Sequence, residues 1–171
     1  MNFTNLIVST FLTVNTFAKY NRGILCIKTI DPASYETEAD FYARCKEIHA
    51  DEISPEFLFE SPTGLPSAIV NEYGLNWGLM AELVRHEKDG NGQAFISFLK
   101  LKGECSAEYF EQSFIDHAEN QVAALEVIAD MDSLLEPLPE ALRGYFDFEA
   151  YARDLFLNEY DLFEGCVFRK I

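Results

Sequence analysis

Glu104–Glu164, ECSAEYFEQSFIDHAENQVAALEVIADMDSLLEPLPEALRGYFDFEAYARDLFLNEYDLFE, is the stretch on which the reading of this chain turns. It holds 16 Asp and Glu against two basic residues, Arg143 and Arg153. The acids do not form a block. They alternate with large apolar residues such as Phe110, Phe114, Leu125, Ile128, Phe148, Tyr151 and Leu155. A disordered acidic tail lacks that apolar content. The pattern predicts a folded domain that carries its carboxylates on a rigid surface. Within it, Asn120–Asp132 has the clearest helical signal. Its apolar residues cover most of the circumference, so it is expected to bury two faces.

Outward from this stretch the charge thins. The whole chain of 171 residues carries −16, of which residues 1–103 contribute 13 acids and nine bases. A balance this acidic repels nucleic acid and anionic membrane and favours a basic partner. With 49% apolar residues the chain can build a real core, though a chain of this length buries only about 70% of its unfolded surface. Cys26, Cys45, Cys105 and Cys166 are widely spaced and match no zinc pattern. They are read as reduced, packed thiols of a cytoplasmic protein. The N-terminus lacks a basic region, the first lysine being Lys19, which argues against a signal peptide. No apolar run reaches 18 residues.

In chain order, Phe11–Phe17 and Ile24–Ile30 read as a hairpin with its turn over Ala18–Gly23. A helix capped by Thr37 follows, with Phe41, Cys45 and Ile48 on one face. Glu56–Glu60 returns as a strand. Ser61–Pro66 reads as a linker, after which the period turns helical over Ala68–Tyr73, Asn76–Lys88 and Gln93–Lys102. Ser106 is a candidate cap for a further short helix, and Phe110–His117 is read as strand. Pro139–Gly144 is a turn of helix, Asp147 caps another, and Phe163–Arg169 closes the chain as a strand. The fold class expected is α+β in three small lobes: 1–61 with a hairpin and helix, 62–105 helical, and 106–171 acidic α+β.

Catalytic and metal motifs are absent from this pattern. His49, His86 and His117 are scattered and read as surface or packed side chains. No Walker loop, nucleophile elbow or dinucleotide fingerprint occurs. Glu87–Phe98 echoes a calcium loop, with Asp89, Asn91 and Gly92 in place. The closing bidentate carboxylate is Phe98 instead, so D-G-N-G reads as a turn. The expectation is a protein that is not an enzyme and holds no cofactor or metal.

Three segments carry a resemblance. They are Phe17–Gly23 (F-A-K-Y-N-R-G), Cys45–Phe59 (C-K-E-I-H-A-D-E-I-S-P-E-F-L-F) and above all Leu138–Leu155 (L-P-E-A-L-R-G-Y-F-D-F-E-A-Y-A-R-D-L). Together they resemble the ArdA antirestriction family, the last segment matching its antirestriction motif. The resemblance implies an elongated, three-lobed chain, dimeric through its C-terminal lobe and carried on mobile elements. It also implies a B-DNA mimic that occupies the DNA-binding cleft of type I restriction-modification enzymes. It leaves open whether modification is inhibited along with restriction. Two copies would carry carboxylates equivalent to roughly 100 Å of duplex at one phosphate charge per ~1.7 Å, or about 54 Å counted as net charge.

The acids expected to stand in for phosphates are Glu104, Glu108, Glu111, Asp116, Glu119, Glu126, Asp130, Asp132, Glu149 and Asp154. Val122, Ala124, Leu125 and Ile128 are expected at a homodimer interface. The alternative reading is an acidic module that binds some other basic DNA-binding protein.

Overall fold

Phe11–Thr16 (β1) is β-branched and aromatic, and it forms the centre of a three-stranded antiparallel sheet in the order β2-β1-β3. The computed structural model of the protein describes residues 9–26, 28–103, 107–132 and 139–171, without the side chains of residues 107, 130–132, 140 and 143. The chain divides into two compact units, Met1–Glu104 and Cys105–Ile171. Helices and antiparallel sheets occur in both, so the fold class is α+β.

In the first unit, β1 runs into a four-residue helix, Phe17–Tyr20 (α1), where an open turn was expected. Thr16 caps it by accepting from the Lys19 amide. The second strand, β2, is Thr29–Ile30 alone, paired Leu12 to Ile30 and Thr13 to Thr29. Helix α2 (Glu38–Ile48) is capped by Thr37 as the sequence suggests, and Phe41, Cys45 and Ile48 are buried. Strand β3 (Phe57–Thr63) pairs with β1 as far as Phe11 to Thr63. It therefore runs through Ser61–Thr63, the start of the expected linker, and Leu65 and Pro66 beyond it are buried.

The expected helix Ala68–Tyr73 is instead a small hairpin, β4 (Val70–Asn71) and β5 (Gly74–Leu75). Its cause is local. The Asn71 side chain accepts from the Tyr73 and Gly74 amides at 2.9 and 3.1 Å, which favours a turn over a helix. Helices α3 (Trp77–Lys88) and α4 (Gly92–Lys102) follow. The D-G-N-G segment joins them as a turn with Gly90 at φ 82. Phe41 ties this region together, its ring 5.9 Å from both Phe59 and Trp77.

The second unit begins with helix α5 (Ala107–Ser113) and strand β6 (Phe114–His117). The first half of the expected strand Phe110–His117 is thus helical. Ser106, the proposed cap, lies outside the described residues. Helix α6 (Gln121–Asp132) is capped by Asn120, which accepts from the Ala123 amide at 2.9 Å. A short helix, α7 (Glu140–Arg143), precedes α8 (Phe148–Asn158), whose cap is Asp147 accepting from the Ala150 amide.

The closing strand is a hairpin, β7 (Tyr160–Phe163) and β8 (Cys166–Arg169). Its two-residue turn places Glu164 at φ 49 and Gly165 at φ 77, and paired positive values are what right-twisted hairpins need. The sheet order is β6-β8-β7, antiparallel throughout. Val167 of β8 packs with Ala124, Leu125, Ile128, Ala152, Leu155, Phe156 and Tyr160 in one core. On the same strand Phe168 meets Phe114, which stacks on Phe110.

Helix α6 differs from the expectation of two buried faces. Ala124, Leu125, Ile128 and Ala129 are buried, Ala123 and Val127 are half-buried, and Gln121, Val122 and Glu126 are exposed. Burying Leu125 or Ile128 contributes about 1.5–3 kcal/mol each.

Ala124 has no exposed surface, so a carboxylate there would be forced into an apolar core. Ala124→Asp is expected to destabilise the second unit by about 3 kcal/mol or more. Thermal melts followed by near-UV circular dichroism should register that loss. A folded variant with unchanged melting would contradict the packing described.

Candidate functional site

The second unit concentrates acid because its helices have one apolar face and one acidic face. Residues 105–171 hold 15 acids and four bases. Glu108 and Glu111 lie on α5, Asp116 on β6, Glu119 just before α6, Glu126 on α6, and Glu149 and Asp154 on α8. Each of these seven is exposed. Exposure alone is ordinary for a carboxylate; what sets this surface apart is how few cations share it. Glu104 lies outside the described residues. Asp130 and Asp132 are in the helical backbone of α6, and their side chains are outside the described set. Glu159 and Glu164 are exposed as well. Glu164 stands in the turn between β7 and β8, a position that the sequence pattern does not signal.

Two of the four bases of this unit, Lys170 and Arg169, are held in contacts within the fold. Lys170 donates to the carbonyls of Phe156 and Leu157 at 2.9 and 3.0 Å, where the positive charge also suits the C-terminal end of α8. It lies 3.5 Å from the half-buried Asp161. Arg169 donates to the Tyr160 hydroxyl at 3.3 Å and sits over that ring. Arg153 and Asp154 are 3.9 Å apart and both well exposed, a geometry that contributes little.

The first unit differs. Lys19 meets Asp51 at 2.8 Å and Glu52 at 3.5 Å, Arg44 meets Glu47 at 2.9 Å, and Arg85 meets Glu82 at 2.8 Å. The Lys19 hydrogen bond holds the Asp51 carboxyl below its ordinary value, and Asp51 in turn raises the Lys19 ammonium.

Three of the expected acids are brought together. Glu119, Glu126 and Glu149 line an open groove of about 880 Å³ together with Val122, Ala123 and Leu162. The expected interface residues are not brought together at a surface. Ala124, Leu125 and Ile128 are 0%, 1% and 1% exposed, while Val122 is 37% exposed. A side chain already enclosed by its own chain has no area to offer a second copy.

The histidines do not assemble a metal centre. His49 is buried, its ring nitrogens 3.0 Å from the Val14 carbonyl and 2.9 Å from the Lys19 ammonium. His86 is buried, with its ring 4.8 Å from that of Phe95. His117 is exposed. Among the described residues no group of three metal-ligating side chains converges.

Against known proteins, the model of the family described as Antirestriction protein (ArdA) matches residues 13–169. No curated protein matches the chain.

Burial pushes the Cys45 thiol up to about 12, so at pH 8 it stays protonated and weakly nucleophilic. Cys26 is half-buried on a loop. Iodoacetamide at pH 8 is therefore expected to label Cys26 in the native protein and to reach Cys45 only after unfolding. Peptide mass spectrometry reads this directly; equal labelling of the two would contradict the burial.

Proposed function

The chain belongs to the ArdA antirestriction protein family, and from that premise we propose that it blocks type I restriction-modification enzymes by mimicking B-DNA. Family membership implies interaction with restriction-modification enzymes in general. The mechanism proposed is occupancy. Lysines and arginines of the enzyme's DNA-binding cleft, which normally meet phosphates, meet the carboxylates of the second unit instead. No bond is made or broken.

The observation that carries this reading is the set of seven exposed acids, Glu108, Glu111, Asp116, Glu119, Glu126, Glu149 and Asp154, on a unit that holds 15 acids and four bases. An acidic surface that carries few bases attracts a cationic cleft over the screening distance of about 8–10 Å. Because the carboxylates stand on helices and strands, little ordering is needed when they bind. A homodimer belongs to the same proposal, formed through surface other than Ala124, Leu125 and Ile128. So does a cytoplasmic location, where restriction enzymes meet incoming DNA. No helix among the described residues is long and apolar enough to cross a membrane.

The test is protection of unmodified phage DNA in cells that carry a type I system. A variant with the seven acids changed to Gln or Asn should fold and lose protection. At about 0.2–1 kcal/mol for each exposed charge contact, affinity should fall about tenfold or more. Full protection by that folded variant would contradict the proposal.

A further inference from the structure

The groove beside α6 has a feature that a phosphate backbone lacks: aliphatic side chains among the carboxylates that line it. Glu119 precedes the Asn120 cap of α6, Glu126 lies one turn beyond Val122 on the same helix face, and Glu149 comes from the first turn of α8. Val122, Ala123 and Leu162 line the groove with them, and among the described residues no basic side chain does. Its volume, about 880 Å³, is near the upper end of ordinary ligand pockets, about 300–1,000 Å³, and exceeds what one side chain fills.

We infer that this groove seats arginine side chains of the protein's basic partner and is the anchor of the acidic surface. The inference rests on the docking role proposed above and assigns it one place. Arginine fits both halves of the groove. Its methylene stem covers apolar surface while its charged end stays at the rim. Its planar guanidinium is more weakly hydrated than an ammonium and pairs with carboxylates in two-point geometry. Carboxylates elsewhere on the unit act through charge at a distance. Those of the groove act together with buried apolar contact, which salt screens far less. The anchor thus gives the surface a preference for proteins that present arginine, beyond a general attraction to cations.

The test uses the full chain and a blocked tetrapeptide with an arginine at each end, titrated while the backbone amides are followed by NMR. Saturable shifts are expected at Val122, Ala123, Glu126 and Leu162. Glu119→Gln, Glu126→Gln and Glu149→Gln together should weaken binding about tenfold. Glu108→Gln, Glu111→Gln and Asp154→Asn remove the same charge away from the groove and should weaken it less than twofold. Val122→Thr keeps the shape and the charge but puts a hydroxyl in the groove lining, and should weaken binding about threefold. Equal losses from the two triple variants, shifts spread over all the acids, or an unaffected Val122→Thr would overturn the inference. So would a change of oligomeric mass on Val122→Thr, because a second copy of the chain would then be the occupant. The titration contains no restriction enzyme, so the anchor and the antirestriction mechanism can fail separately.

Discussion

Self-repulsion is the constraint around which the second unit is built. Fifteen carboxylates against four bases in Cys105–Ile171 favour an open chain, and apolar burial opposes that tendency. That burial comes from α6 and α8 packed on β8, through Ala124, Leu125, Ile128, Ala152, Leu155, Phe156, Tyr160 and Val167. Each large side chain fully enclosed contributes about 1.5–3 kcal/mol, whereas exposed charges a Debye length apart are largely screened. Placing acids on the outer faces of the same helices keeps the repulsion where water and salt weaken it. The interleaving of carboxylates and aromatics in the sequence is therefore one arrangement that serves both the core and the surface.

The basic residues extend that logic. Lys19, Arg44 and Arg85 meet carboxylates in the first unit; in the second, Lys170 and Arg169 also make hydrogen bonds to backbone carbonyls of α8 and to Tyr160. These contacts secure the end of α8 and the terminal hairpin. A surface organised in this way suits a partner that supplies the missing cations.

Much of the architecture was legible because local chemistry declared it. Thr37, Asn76 and Asp147 each cap the helix that follows, and apolar spacing identified Phe41, Cys45 and Ile48 as one buried face. The two hairpins were missed because their signals are short. Asn71 sets one turn through its side chain, and Glu164 occupies a left-handed position that few non-glycine residues adopt. The exposed acids were legible as residue types, but their grouping was not. Glu119, Glu126 and Glu149 meet around one groove only because α6 and α8 pack side by side. The same packing encloses Ala124, Leu125 and Ile128, which periodicity alone could not assign to the chain's own core or to a neighbour.

The central claim is that carboxylates replace phosphates in an enzyme's DNA cleft. Displacement of a labelled duplex from a type I methyltransferase core, measured at about 50 and about 200 mM salt, tests it most directly. The account predicts stoichiometric displacement at low salt, with apparent affinity at least about tenfold weaker at the higher salt. No displacement at low salt, or displacement indifferent to salt, would contradict it.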